Sequence, residues 1–339
     1  MTNQASPELL HHLHAALGPS ADAHTKLLES VIPGLIDSIG AIATALRKAH
    51  HVSRAGGANA FGDDQLNVDV LAEQAVRDAV SSCPAIVAAS SEEDPVERSA
   101  NPSVQEEIRT RGEDGEHYTV AFDPLDGSSI IAPNWTVGTI LGVWQGRTAL
   151  RQDPATRQVA AVLGVYGPRT TAIVALRVPG SEPACLELGL NEHGARDCAV
   201  VRSQVRLLDP ESSSARYFAP ANLRAASENP RYMDLVSRFI RERYTLRYSG
   251  GLVPDVVHAL VKGHGVYVSP VTAGSKAKLR RLYELYPIAL VMECAGGKAV
   301  SPADGSRILD RALEDLNETA GLICGTAEDV EIAKAALVG

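Results

Sequence analysis

The strongest constraint on this chain is a run of six residues, Asp123-Pro124-Leu125-Asp126-Gly127-Ser128, with Ser129 behind it. The run follows Tyr118-Thr-Val-Ala-Phe122, a short β-rich apolar stretch, so two carboxylates three residues apart fall where a buried strand opens into a turn. Pro124 fixes φ, Gly127 permits a sharp turn, and Ser128 and Ser129 can start a short helix whose free N–H groups face an anion. Such a corner suits a hard cation beside a phosphate. The same residues also describe an ordinary Pro/Asp/Gly turn with a serine helix cap, and the motif alone leaves both open.

Two further acidic clusters decide between them. Ile86-Val-Ala-Ala89 reads as another buried strand, followed directly by Ser90-Ser91-Glu92-Glu93-Asp94, and Gly62-Asp63-Asp64 precedes Asp69 at the head of an expected helix. Each run alone is explained by a solvated face or by favourable charge at a helix N-terminus. Several together are not. Two carboxylates about 4 Å apart repel by roughly 4 kcal/mol at an effective dielectric of about 20, so carboxylates packed at strand ends require protons or cations. Oxygen-only ligands point to Mg²⁺ or Mn²⁺ rather than Zn²⁺.

Glu92-Glu93 followed by Asp123-Pro-Leu-Asp-Gly-Ser-Ser129 resembles the metal signature of the Mg²⁺-dependent, lithium-sensitive phosphatases, the inositol monophosphatase-like superfamily that includes the fructose-1,6-bisphosphatases. Five further motifs narrow the resemblance: Phe61-Gly-Asp-Asp-Gln-Leu-Asn-Val-Asp69, Thr136-Val-Gly-Thr-Ile-Leu-Gly-Val-Trp144, Tyr166-Gly-Pro-Arg-Thr-Thr171, Tyr244-Thr-Leu-Arg-Tyr-Ser-Gly-Gly-Leu-Val-Pro-Asp255 and Lys276-Ala-Lys-Leu-Arg280. They resemble the fructose-1,6-bisphosphatase class 1 family, and within it the sedoheptulose-1,7-bisphosphatase branch, from about residue 27 to residue 330. The resemblance implies an α/β sugar phosphatase fold in five α-β-α-β-α layers. It also implies Mg²⁺-dependent hydrolysis of the C1 phosphate of sedoheptulose 1,7-bisphosphate to sedoheptulose 7-phosphate and phosphate, with fructose 1,6-bisphosphate as the alternative substrate.

By the same resemblance, Asp63, Glu92, Asp123, Asp126 and Glu284, with the carbonyl of Leu125, hold two or three Mg²⁺ ions, for which Mn²⁺ can substitute. Glu284 also lies four residues after Arg280 and three after Arg281 on an expected helix, where an intrahelical salt bridge is the ordinary explanation. Asp69 and Glu93 match the pair that orients and deprotonates the attacking water. Asn59 supports the adjacent Gly/Ala/Asn-rich loop 51–62, whose composition suits opening and closing over the site. Ser128 and Ser129 lie at the phosphate, and Lys278 and Arg280 supply a compact ammonium and a forked guanidinium on its side, Lys278 with a catalytic role. Arg247 matches an arginine lent across a subunit interface to the distal phosphate, which implies a homodimer or tetramer; its ordinary explanation is a surface arginine packed on a tyrosine. Asn229, Tyr232 and Tyr248 match the other distal-phosphate donors, and Gly250 with Gly251 lets the backbone approach the sugar. Where fructose bisphosphatases place a tyrosine after the strand at 265–268, Ser269 stands here and leaves room for a seven-carbon sugar, with Tyr267 close enough to compensate.

Composition sets the wider frame. A chain of 339 residues with 45% hydrophobic content can bury a sizeable core and ordinarily forms two domains. The expected division is a flexible arm at 1–22, a metal-binding phosphatase domain at 23–205 and a sugar-phosphate domain at 206–339, with the boundary in the polar, turn-rich stretch 203–219. A net charge of −9 argues against nucleic acid or an anionic membrane as the main partner. No run of 18 apolar residues and no secretory leader is present, so a cytoplasmic location is expected. Five scattered cysteines without a C-x-x-C pair read as reduced, packed thiols. Apolar periodicity predicts helices over 27–46 (broken or delayed at Pro33), 69–81, 232–244, 255–262, 277–295 (kinked at Pro287) and 308–316.

Two alternatives bear on function. Inositol monophosphatases typically end their metal set with a Trp-Asp pair, whereas Trp135 and Trp144 lie near the first motif here. A non-catalytic metal-binding regulator would not need Asp69, Glu93 and Lys278 intact. Regulation is also expected to differ. Animal fructose-1,6-bisphosphatases bind AMP at a helix preceded by a Gly-Glu-Leu-Thr turn, where this chain has Ala23-His-Thr-Lys-Leu-Leu-Glu-Ser30 and, before the metal strand, His117 in place of a lysine. Chloroplast members of the branch carry an N-terminal regulatory cysteine pair, and no cysteine precedes Cys83. Insensitivity to AMP and to thiol reductants follows.

Overall fold

The computed structural model describes residues 5–58, 64–100, 115–208 and 215–339. Strands are numbered along the chain. β1 (Arg54–Ala58) and β2 (Asp64–Leu66) pair with each other. β3 (Ile86–Ser91), β4 (Arg98–Ser99), β5 (Tyr118–Asp126), β6 (Val137–Gln145), β7 (Gln158–Tyr166), β8 (Thr170–Leu176), β9 (Ala184–Leu190) and β10 (Ala199–Arg202) form one sheet in the order β10-β9-β8-β7-β6-β5-β3-β4. Its pairs are antiparallel except β3 with β5. β11 (Tyr217–Pro220), β12 (Thr245–Leu246), β13 (Val266–Ser269), β15 (Lys298–Val300) and β17 (Leu322–Gly325) form a second sheet in the order β12-β11-β13-β17-β15, while β14 (Leu279–Arg280) pairs with β16 (Thr319–Ala320).

The Val/Ile/Leu runs of β5 to β8 are buried on both faces, which requires cover on both sides. The helices Ile32–Lys48 and Asn67–Ser82 cover one face through a core that includes Leu35, Ile39, Val68 and Val76. The helices Leu252–Lys262 and Tyr286–Cys294 lie between the two sheets, and Pro230–Arg241 and Ala327–Val338 close the outer face of the second sheet. The result is the α-β-α-β-α layering expected from the resemblance. Gly138 and Gly142 lie on one face of β6, where a Cβ would come within 2.4 Å of Val253 and 2.9 Å of Pro287. Glycine at these positions sets how closely the inner helices approach the sheet.

Four expectations change. Residues 7–17 are not a loose arm: Pro7–Leu17 is a helix with Ser6 as its cap, and Leu9, Leu13 and Leu17 are buried at helical spacing. Pro33 neither breaks nor delays its helix, because a π turn at Leu27–Val31 leads directly into Ile32–Lys48. This is the one helix among the described residues long and apolar enough to cross a membrane, and 67% of that apolar window is packed inside the protein. The helix expected at 277–295 begins only at Arg281, since Leu279 and Arg280 pair as a strand with Ala320 and Thr319. Pro287 falls in the first turn of Tyr286–Cys294 rather than at a kink. Only a short 3₁₀ turn, Ile308–Asp310, forms in 308–316, because the Glu318 carboxylate takes the N–H groups of Glu314 and Asp315 in a side-chain-to-backbone turn.

Gly138→Ala is therefore expected to destabilise the protein by about 1–3 kcal/mol through overpacking against Val253. Gly34→Ala, on a helix with open space around it, is expected to stabilise by about 0.5–1 kcal/mol. Urea melts of the two variants check the contrast, and equal stabilities would show that the inner helix does not depend on this approach.

Candidate active site

The site begins at an irregularity in β5. Pairing with β6 slips between Asp123 and Asp126, so the strand bulges where the two carboxylates leave it, and Thr139 Oγ1 donates to the buried carbonyl of Pro124 at 2.8 Å. Asp123 Oδ1 accepts the Leu125 N–H at 3.0 Å. Gly127 follows at φ 93°, a left-handed turn that opens the short helix Ser128–Ile131. Glu284 arrives from the π turn Arg281–Leu285 and accepts the backbone N–H of Arg280. Asp123, Asp126 and Glu284 are all buried, and each offers a carboxylate oxygen within 4.8 Å of the others.

The electrostatics of this cluster are unfavourable by themselves. Burial, and then the charges of Glu92, Glu284 and Asp126, push Asp123 well above the usual carboxylate range. Burial and Glu92 do the same to Glu284. Asp126 is pushed up to about 6 by burial, held there against two backbone bonds: Oδ1 accepts the Leu252 N–H at 3.0 Å and Oδ2 the Val253 N–H at 2.7 Å. The salt-bridge explanation of Glu284 fails, because the Arg280 guanidinium turns to Glu92 at 3.3 Å and Arg281 Nε lies 3.8 Å from Glu318. Three buried, oxygen-only donors whose charges oppose one another fit a hard divalent cation.

A second wall holds Glu92 and Glu93. Ser91 Oγ donates to Glu73 Oε1 at 3.0 Å and accepts the Asp94 N–H, while Arg77 binds Glu73 at 2.7 Å and covers the Phe122 ring. The helix Asn67–Ser82 thus fixes the turn that carries both glutamates. Gln65 Nε2 donates to Glu93 Oε2 at 2.8 Å. Asp69, at the third position of the same helix, accepts the Leu66 N–H on Oδ2 at 2.8 Å, and its buried Oδ1 has no hydrogen-bond partner. Burial pushes Asp69 up to about 6, with the Leu66 N–H and the nearby Ser128 hydroxyl pulling the other way. That hydroxyl donates to the Leu125 carbonyl at 3.2 Å, the backbone oxygen the resemblance assigns to metal. Asn59 and Asp63 lie outside the described residues, as does the part of the loop 51–62 beyond Ala58.

The expected substrate residues divide. Ser129 and Lys278 are exposed, and Arg280 is buried beside the carboxylates with Nη1 donating to the Lys278 carbonyl at 2.9 Å. Tyr248 is 46% exposed, and Gly250 takes φ 102° in the turn behind it. Arg247 is exposed with its guanidinium 5.7 Å from the Tyr217 ring centroid, the packing its ordinary explanation anticipates. Tyr232 is not a phosphate donor in this structure: it is fully buried, and its hydroxyl donates to the carbonyls of Ala221 at 2.7 Å and Val268 at 3.1 Å. Asn229 caps the helix Pro230–Arg241, accepting the Tyr232 N–H at 3.3 Å. Ser269 is buried at the end of β13, and burial, followed by neighbouring groups that include Tyr248 and Asp255, pushes the Tyr267 hydroxyl well above its ordinary range. Gln65 and Asp255 were not anticipated, because a glutamine between acids and an aspartate in the first turn of a helix look ordinary in sequence.

The sequence profile described as "Fructose-1-6-bisphosphatase, N-terminal domain" matches residues 15–192, and that described as "Fructose-1-6-bisphosphatase, C-terminal domain" matches residues 211–338. With the layered fold and the carboxylate corner, this places the chain in the fructose-1,6-bisphosphatase family. It is 39% identical over 276 residues to the chloroplastic sedoheptulose-1,7-bisphosphatase of Triticum aestivum, covering 80% of this chain and 63% of that protein. It is 34% identical over 285 residues to the class 1 fructose-1,6-bisphosphatase of Syntrophotalea carbinolica, covering 83% of this chain and 80% of the relative. A crystal structure from Toxoplasma gondii, assigned as a sedoheptulose-1,7-bisphosphatase, superposes with a TM-score of 0.81 at 34% identity over 97% of this chain and 98% of that one. The match thus spans about 63% of the length of the wheat relative.

The raised carboxylates make a pH prediction. Their folded pKa lies above the ordinary value of 3.8 for Asp69 and Asp126, so the stability they contribute is present below that value and lost as pH rises through about 6. His24 and His258, whose pKa burial lowers, slope the opposite way, so the informative comparison is with Glu284→Gln. In chelator, between about pH 5 and about pH 7.5, the wild type should lose thermal stability relative to Glu284→Gln, and saturating Mg²⁺ should restore only the wild type. Parallel pH slopes with no Mg²⁺ response in either protein would remove the cation site.

Proposed function

We propose that the chain is a divalent-metal-dependent sugar bisphosphatase that hydrolyses the C1 phosphate of sedoheptulose 1,7-bisphosphate, giving sedoheptulose 7-phosphate and phosphate. Fructose 1,6-bisphosphate is the second substrate reading, supported by the similarity to the bacterial class 1 enzyme. The observation that carries the reading is the triad Asp123, Asp126 and Glu284, buried within 4.8 Å of one another. These three, with Glu92, Asp63 and the Leu125 carbonyl, would hold two or three Mg²⁺ ions, or Mn²⁺ in their place. When bound, such ions supply positive charge to the phosphate oxygens and acidify water.

The chain's own residues supply the rest. Asp69, with an unpartnered oxygen and a proton affinity raised to about 6, is suited to take a proton from the attacking water. Glu93, steadied by Gln65, orients that water. Arg280 keeps a fixed positive charge beside Glu92, and the exposed Lys278 can reach to the reacting phosphate. Arg247 and Tyr248, both exposed, are assigned to the distal phosphate, Arg247 from the partner subunit of a homodimer or tetramer. Ser269 leaves the space for the longer sugar. Asp123, Asp126 and Glu92 belong to a phosphatase domain ending near residue 205, Glu284 and the sugar contacts come from the remainder, and the reaction is assigned to the cytoplasm.

The decisive measurement is kcat/KM on the two bisphosphates side by side, with the sedoheptulose compound expected to be favoured. Asp126→Asn and Glu93→Gln are each expected to lower kcat by about 10²-fold or more, the first by weakening metal binding and the second by losing water activation. Near-normal turnover in either would overturn the assignment, and Mg²⁺ binding without phosphate release by the wild type would favour a regulator.

Regulation by AMP is not expected. The N–H groups of Lys26 and Leu27, at the helix start where an anion would dock, are taken by the Glu116 carboxylate at 2.8 and 3.3 Å, and Glu116 also accepts the Tyr118 hydroxyl at 2.8 Å. All five cysteines are buried and unpaired as disulfides. Micromolar AMP and dithiothreitol should each leave the rate of the purified protein unchanged, whereas inhibition by the first or several-fold activation by the second would reveal a regulatory site.

A further inference from the structure

The turn between Tyr248 and the helix Leu252–Lys262 is suspended from side chains. Asp255 Oδ1 accepts the Ser249 N–H at 2.7 Å and Oδ2 the Gly250 N–H at 3.3 Å. Ser249 Oγ accepts the Gly251 N–H at 3.3 Å. Asp126 takes the next two, Leu252 at 3.0 Å and Val253 at 2.7 Å. Each of the five consecutive N–H groups therefore ends on one of three side chains, and the two carboxylates among them are buried. One of those carboxylates belongs to the metal corner. The other, Asp255, has no role in the chemistry set out above.

We propose that Asp255 is a positioning residue that locks the sugar-binding turn in register with the metal corner. This rests on the sugar bisphosphatase reading. Gly250 is held at φ 102°, a conformation that free glycine leaves readily, so the turn keeps one shape only while its N–H groups are anchored. Asp126 anchors its far end to β5, and Asp255 anchors its near end, next to Tyr248. At 7% exposure Asp255 cannot serve as a surface contact, and it acts on substrate through the backbone it holds. The ordinary alternative is an acidic residue in the first turn of a helix that contributes stability alone.

The test compares wild type, Asp255→Asn and Ser249→Ala at saturating Mg²⁺, on sedoheptulose 1,7-bisphosphate and on p-nitrophenyl phosphate, which has no sugar. Asparagine keeps the shape and one acceptor but sets an amide N–H₂ against a backbone N–H. The expected result for Asp255→Asn is a KM for the bisphosphate raised by about tenfold, kcat within about threefold, and kcat/KM on the aryl phosphate unchanged. Ser249→Ala, which leaves both carboxylates in place, should shift the bisphosphate KM in the same direction by less, and it carries the test if Asp255→Asn fails to fold. Equal losses on both substrates, or a fall in kcat at constant KM, would assign Asp255 to stability or chemistry instead. Activity in the wild type with unchanged KM in both variants overturns the positioning role alone. No hydrolysis of either substrate by the wild type overturns the phosphatase reading beneath it.

Discussion

The grip of the Asp126 carboxylate on the N–H groups of Leu252 and Val253 is the interaction on which the rest of the molecule is registered. One partner sits at the end of β5, an inner strand of the larger sheet, and the other starts the helix packed between the sheets. The bond pair is oriented by two carboxylate oxygens on two adjacent donors, which fixes direction as well as distance. It forms only because the helix can come close to β6, and Gly138 is where that closeness is decided. The Asp126 side of the corner is thus tied to the second half of the chain by one polar contact and one missing side chain.

That contact also separates structural carboxylates from the others. Glu97 and Glu116 are partly sheltered, and each receives at least two hydrogen bonds from the protein. Their charge is met at home. Asp126 receives two N–H groups at a helix start, where the dipole also favours an anion, yet burial still pushes it up to about 6. Asp123 has one backbone donor and three acidic neighbours, and Asp69 keeps one buried oxygen without any donor. A fold that leaves such groups together forgoes stability at neutral pH in exchange for a place where a cation and a proton are wanted.

The parts of this arrangement legible in sequence were those carried by local chemistry. The strands at 86–91 and 118–126 announce themselves by apolar runs, and the Pro/Asp/Gly turn by its composition. The convergence of Asp123 and Glu284, far apart in the chain, was reached through the resemblance and not through spacing. What was misread depended on tertiary partners. The N-terminal helix is built on three leucines that mean little without a surface to bury them, and the start of the 281–294 helical segment is set by the pairing of β14 with a strand forty residues away. Tyr232 is the clearest case. Its hydroxyl is consumed by two main-chain carbonyls of the smaller sheet, a fact that no local pattern encodes.

The loss of Tyr232 as a donor changes how the proposed substrate is divided between rigid and adaptable contacts. At the carboxylate corner Asp123, Asp126 and Glu284 are buried and each accepts a backbone N–H, so the reacting phosphate of the proposed substrate meets a part of the site that cannot easily reshape. The candidates for the distal phosphate, Arg247 and Tyr248, are exposed side chains on the segment that leads into the anchored turn. On that reading, discrimination between six- and seven-carbon sugars draws on the distance between these two regions as well as on the space at Ser269, and that distance is set by the turn at 249–253 and the end of β13. Both are backbone features. A change of substrate within this fold is therefore expected to follow from small movements of that turn more readily than from exchange of the residues that perform the chemistry.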